Sequence, residues 1–216
     1  MGGMFDPVHD GHLQLAQQVK QLCDLDEILL VPCGLPVHRP RAHTPSAARV
    51  AMLELACRGK EWLHVDSREC LSNSPSYTYT TLTAIRAGQR ASIFHLLLGL
   101  DAFLSLPTWY RWLDLFDLAH IVVVARPGYE LTQATLDPVL QLELEKRRVR
   151  CIEDCKDSAA GKILVLNVST PAISSTEIRD MLRNQRDISQ FLNKDVATYI
   201  RTHKLYQQRG VKFEIN

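Results

Sequence analysis

The chain has 216 residues, 46% of them hydrophobic and 23% charged, the balance of a globular protein long enough to bury a sizeable core. A formal net charge of +1 supplies no global field for nucleic acid or an anionic membrane, so an anionic substrate must be held by local charge. No apolar run approaches the ~18 residues of a membrane span, and the opening Met1-Gly2-Gly3-Met4-Phe5-Asp6-Pro7 has neither the basic head nor the apolar centre of a signal peptide.

Along the chain, apolar stripes alternate with apolar runs. Leu15, Ala16, Val19, Leu22 and Cys23 make a helical stripe, and Ile28–Pro32 reads as a short buried strand closed by Pro. Thr44-Pro45 predicts a helix with Thr44 as N-cap and Pro45 at the first helical position, stopped at Gly59. Residues 63–66 predict another strand, and a helix is expected from Thr78 to Gly88. Three further runs, residues 93–98, 120–125 and 162–166, are nearly continuous in apolar side chains. Such runs suit strands covered on both faces, hence a parallel sheet with flanking helices, an α/β fold. The charged stretch from Tyr129 to Gly161 reads as a solvated helix face. Two short helices, 175–184 and 195–203, close the chain. Six cysteines at 23, 33, 57, 70, 151 and 155 lack disulfide-framework or metal spacing and read as reduced thiols of a cytoplasmic protein.

Four segments carry chemistry, each placed where an open parallel sheet binds ligands, beyond strand carboxyl ends and beside helix N-termini. In the first, Gly2 and Gly3 allow a tight turn and close backbone approach, and His9 and His12 stand three apart at the start of a helix. Singly, each histidine reads as a cap or a structural residue; together they can face one anion with hydrogen-bond donors. A zinc site competes weakly, for want of a third ligand at helical spacing. In the second, Ser174 and Glu177 have capping-box spacing, and Arg179 adds a cation with phosphate geometry on the first turn. In the third, Asp101 follows a buried strand and Trp109 offers a flat ring, though a tryptophan equally packs a core. In the fourth, His38 and Arg39 put positive charge on a loop, and Ser74–Thr78 begins a helix with free amides.

Together these segments resemble the bacterial nicotinate-nucleotide adenylyltransferases, of the H-x-G-H nucleotidyltransferase superfamily. The resemblance rests on G-G-x-F-D-P-V-H-x-G-H, H-R-P, P-S-Y-T-x-x-T-L, G-x-D-x-x-x-x-x-P-T-W-Y, A-R-P-G-Y and I-S-S-T-E-I-R, in that order across residues 2–206. It implies a Rossmann-like doubly wound parallel sheet with a small helical C-terminal part, one domain over residues 1–206 and a tail over 207–216. It implies transfer of AMP from ATP, with magnesium bound to the nucleotide, onto nicotinate mononucleotide, giving nicotinate adenine dinucleotide and pyrophosphate. His9, His12 and Arg179 would act on the ATP phosphates, and Gly2, Gly3, Phe5, Ser175 and Thr176 would complete the ATP site, with Asp101 on ribose. Trp109 would stack on the pyridine ring. Amides near Thr78 and Tyr110 would take the carboxylate, and His38, Arg39 and Arg126 would lie near the mononucleotide phosphate. Neither nucleic acid nor a membrane is implied as a partner.

Two departures stand out. Met4 replaces the family's usual Thr. Only Met1 precedes Gly2, where the family has a hydrophobic strand in the middle of its sheet; about five buried apolar side chains at ~1.5–3 kcal/mol each would amount to about 8–15 kcal/mol. Two strand edges would then stand unpaired, and the expectation is a chain start lying upstream. The readings left open are another member of the superfamily, acting on nicotinamide mononucleotide, pantetheine phosphate or glycerol phosphate, and a nucleotide-binding module without catalysis.

Overall fold

Strands and helices alternate from the first residues, as the spacing of apolar side chains requires. The computed structural model describes residues 1–37, 42–89, 92–125 and 136–207. The first half runs β1 (Gly2–Gly3), α1 (Asp10–Leu22), β2 (Ile28–Pro32), α2 (Ser46–Cys57), β3 (Leu63–Val65), α3 (Arg68–Leu71) and α4 (Thr78–Gly88). The second runs β4 (His95–Gly99), α5 (Leu100–Leu104), α6 (Leu115–Leu118), β5 (His120–Ala125), α7 (Pro138–Arg147), β6 (Arg148–Val149), β7 (Ile163–Asn167), α8 (Ser175–Arg183) and α9 (Lys194–Thr202). Of the stretch expected to be a charged helix face, residues 129–135 lie outside the described residues. The rest includes α7, capped by Asp137, whose carboxylate accepts from the amides of Val139 and Leu140 at 2.9 and 3.2 Å. Glu143 and Arg147 pair one turn apart on that helix.

All the strand pairs are parallel, in two half-sheets ordered β1-β2-β3 and β4-β5-β7-β6. β5 is central in its half-sheet, and its β-branched Ile121, Val122 and Val123 are fully buried, the placement a two-face-covered strand demands. One core joins β2, α2, α8 and α9 through Leu30, Met52, Ile178 and Ile200. A second lies between β4, β5 and α7, and a third links Val19 of α1 and Cys23 just past its end to Leu97, Val122 and Leu164. All six cysteines are free thiols.

Two local expectations are corrected. Gly2 and Gly3 form no turn; they lie extended, in register with Val31 and Pro32. The turn comes at Phe5, in the left-handed region at φ 48°. Gly3 is still needed for close approach, because a Cβ there would lie 3.0 Å from the Phe5 ring. Nor does Thr44 cap α2. The cap position falls on Pro45, because the Thr44 hydroxyl donates instead to the Asp6 carboxylate at 2.7 Å.

Among the described residues no strand of one half-sheet pairs with a strand of the other. The Met1 amine donates to the carbonyl of Leu29 at 2.9 Å, inside the gap between β2 and β4. A cavity of about 1320 Å³ runs through this gap, with Met1, Ile28 and Leu29 on one wall and Leu96, Leu97 and Leu98 on the other. It continues to the carboxyl ends of the strands, where the candidate site lies.

Candidate active site

The loop from Phe5 to His9 joins β1 to α1 and sets two imidazoles at the helix start. The rings of His9 and His12 are 3.7 Å apart between centroids. His12 Nδ1 accepts the backbone N–H of His9 at 3.3 Å, so the proton of a neutral His12 ring belongs on Nε2, as a donor. Phe5 meets this ring edge-on at 5.0 Å. The glycine between the histidines has a steric cause: a Cβ on Gly11 would come within 3.0 Å of the His9 ring. Burial pushes the His9 imidazole down to about 4, against an upward pull from the Glu177 carboxylate. Burial, and then His9, hold His12 at about 3. Both rings are therefore neutral donors near pH 7. Buried His9 Nδ1 has no partner among the described residues.

Against this loop stands the start of α8. The capping box is formed: the Ser174 hydroxyl accepts the Glu177 amide at 3.2 Å, and Glu177 Oε2 accepts the Ser174 amide at 2.7 Å. The Ser175 hydroxyl donates to the carbonyl of Pro7 at 2.9 Å. Arg179 Nη1 donates to the carbonyl of Asp6 at 2.7 Å, and Nη2 to the Thr176 hydroxyl at 3.0 Å. Arg179 Nε is buried and has no partner among the described residues. The guanidinium is thus held before any ligand arrives, against the same loop that carries the histidines.

The cavity collects residues from both halves of the fold. Gly2, Gly3, Phe5, His12 and Ser175 line it from the loop and α8. Asp101, Thr78, Trp109 and Tyr110 line it from the β4 side. Asp101 sits exposed in the first turn of α5, just past β4. The helix α4 begins at Thr78, so its first-turn amides have no partner within the helix. His9, Thr176 and Arg179 stand behind the lining, through the contacts above. His38, Arg39 and Arg126 lie outside the described residues.

Several contacts of these residues escaped the sequence reading. The Tyr110 ring packs against Tyr77 at 4.8 Å and Tyr79 at 6.1 Å, and the Arg111 guanidinium lies 4.0 Å above Tyr79. The Ser76 hydroxyl accepts the amides of Gly34 and Leu35 at 3.1 and 3.2 Å, which ties the loop after β2 to the start of α4. The P-S-Y-T segment already contains Ser76 and Tyr77, but their partners are distant in sequence. Asp6 gave a signal only as part of the opening motif; its partners are residues 43, 44 and 206.

Two anion-ready helix starts meeting at the carboxyl ends of a parallel sheet define a nucleotide-binding α/β protein. The cytidylyltransferase-like family model matches residues 1–181, and the chain belongs to that family. Curated relatives refine the class. A probable nicotinate-nucleotide adenylyltransferase of Marinomonas sp. is 37% identical over 96% of this chain and 93% of its own length. One of Methylococcus capsulatus is 40% identical over 95% of this chain and 97% of its own. Among solved structures, the nicotinic acid mononucleotide adenylyltransferase of Plasmodium falciparum complexed with NaAD shares the fold at a TM-score of 0.69 and 19% identity, over 95% of this chain and 94% of that one.

Proposed function

We propose that the chain transfers AMP from ATP to nicotinate mononucleotide, giving nicotinate adenine dinucleotide and pyrophosphate. The observation that carries this reading is the single cavity shared by the His12–Ser175 cradle and the Thr78–Trp109–Tyr110 wall. The relatives' common name agrees with it. A phosphate oxygen of the mononucleotide attacks the α-phosphorus, the bond to the bridging oxygen of the β-phosphate breaks, and pyrophosphate leaves. The attacking oxygen is already ionised near neutrality, so no general base or covalent intermediate is needed. The protein's task is alignment and offsetting of charge.

In this reading His9 and His12 donate N–H groups to the ATP phosphates, and Arg179 offers its buried Nε edge beside the α8 N-terminus. Asp101 accepts from ribose hydroxyls. Trp109 stacks on the pyridine, and the first-turn amides of α4 with the Tyr110 amide take the carboxylate. His38, Arg39 and Arg126 hold the mononucleotide phosphate, a role that rests on the sequence resemblance. Among the described residues no group of three or more His, Cys, Asp or Glu could hold a metal ion. A magnesium ion would therefore ride on the ATP oxygens and water rather than in a protein cage, and it would add charge neutralisation there. No helix among the described residues is long and apolar enough to cross a membrane; we place the chain in the cytoplasm.

The test is pyrophosphate release by the purified chain with ATP and magnesium, comparing nicotinate and nicotinamide mononucleotides. Release that strongly prefers the acid is expected. Release with the amide alone would move the chain to another substrate. ATP binding with no release from either would favour a module without catalysis.

A further inference from the structure

The Asp6 carboxylate is only 3% exposed, yet the transfer chemistry makes no use of it. Three donors converge on it. The backbone N–H of His43 donates to Oδ2 at 2.6 Å, and the hydroxyls of Thr44 and Tyr206 each donate to Oδ1 at 2.7 Å. The donors come from the segment entering α2 and from the chain just beyond α9, 200 positions away. Asp6 is also the residue whose carbonyl receives Arg179. One residue therefore links the histidine loop, the segment after the H-R-P stretch, Arg179 and the C-terminal segment.

The far partner is seated deliberately. Past α9 the backbone turns through the left-handed region at both Lys204 and Tyr206, with φ 50° and 63°, a conformation that side-chain-bearing residues rarely take without being held there. The turn brings the Tyr206 ring against the core of β2, α2 and α9 and its hydroxyl onto Asp6. Burial and the Asp6 carboxylate both push the Tyr206 phenol above its ordinary range, which keeps it a donor. Without the Tyr206 hydroxyl the buried carboxylate loses one of its three donors, and Asp6, whose backbone carbonyl receives Arg179 at 2.7 Å, loses one of the contacts that hold it in place.

We propose that Tyr206 is a positioning residue for nucleotide transfer: through Asp6 it fixes Arg179, so that the C-terminal segment holds the phosphate cradle in shape from behind. The proposal rests on the ATP half of the functional reading and not on the identity of the second substrate.

The test is a double-mutant cycle read by calorimetric binding of a non-hydrolysable ATP analogue to wild type, Tyr206→Phe, Arg179→Lys and the double variant. The ring is kept in Tyr206→Phe, so only the hydroxyl is lost. About tenfold weaker binding is expected from Tyr206→Phe alone, the size of one lost hydrogen bond to a charged group. Less than about a twofold further loss is expected in the Arg179→Lys background, because residues acting through one another are not additive. Equal losses in both backgrounds would overturn the proposal, as would an unchanged affinity in a Tyr206→Phe protein whose thermal unfolding alone has shifted. If Arg179→Lys binds too weakly to measure, Thr44→Ser and Thr44→Val replace it. The hydroxyl-bearing Ser should keep the affinity and Val should lose it about as Tyr206→Phe does; equal affinity in both would refute the carboxylate as the link. Failure of the wild type to bind the analogue would instead sink the ATP reading itself.

Discussion

The His12 ring accepts the backbone N–H of His9 at 3.3 Å while the two imidazoles lie 3.7 Å apart. The contact does two things. It fixes the His12 tautomer, leaving Nε2–H as the donor, and it satisfies one of the otherwise unpaired amides at the start of α1. Replacing His12 therefore removes a donor aimed at transferring charge. His12→Ala is expected to lower kcat by about 10²–10³, with the KM for the mononucleotide changed little. Steady-state pyrophosphate release checks this, and a loss appearing equally in KM and kcat would contradict a role confined to the transfer.

The two histidines also make stability depend on pH. Their folded values, about 4 and about 3, lie below the ordinary 6.5. The unfolded chain thus binds more protons across that interval, so the two rings' contribution to stability is fully present above about pH 6.5 and is lost as pH drops toward 3. The slope is up to ~1.4 kcal/mol per pH unit for each ring. Urea unfolding between pH 7.5 and 5 should show this loss, and the double variant His9→Asn/His12→Asn should reduce it, leaving the share of His95, which burial also holds at about 4. An identical slope in the double variant would exclude these rings as the source.

Gly34 has a different constraint. A Cβ there would fall 2.0 Å from the backbone carbonyl oxygen of Glu69, which cannot swing aside as a side chain can. Gly34→Ala is expected to destabilise by about 1–3 kcal/mol or more and to separate the loop after β2 from Ser76. Chemical denaturation measures the first effect; an unshifted midpoint would mean that this approach is looser than described.

Trp109 lies on the cavity wall and packs partly on the core of β4 and β5. Trp109→Ala is expected to raise the KM for the mononucleotide by a few-fold to about tenfold, the ~0.5–1.5 kcal/mol of an aromatic stack, with the KM for ATP nearly unchanged. A shift in the ATP value alone would reassign the ring to the adenine side.

The gap between β2 and β4 has its own signature. Burial holds the Met1 amine at about 6, below its ordinary 8.0. Stability should accordingly rise between pH 6 and 8, as the unfolded chain gives up the proton that the folded chain has already lost. Urea midpoints measured across this interval check the rise, and midpoints that do not move between pH 6 and 8 would exclude the buried amine as its source.

Much was legible in the sequence because its causes are local. Covered parallel strands need continuous apolar runs, so β2, β5 and β7 appear directly as Ile28–Pro32, His120–Ala125 and a run one residue from Ile163–Asn167. The Ser174–Glu177 box is written in four residues because a helix start needs only its own turn. Gly11 is legible as part of H-x-G-H, although the sequence does not say that the His9 ring is what fills its space. The tertiary structure decided what depends on distant partners. It sent the Thr44 hydroxyl to Asp6 instead of to a helix amide. It drew Gly2 and Gly3 into register with β2 rather than into a turn, and it brought Tyr206 onto a carboxylate near the other end of the chain. A hydroxyl or a glycine has several local uses of nearly equal free energy, and only the long-range contact made on folding selects among them.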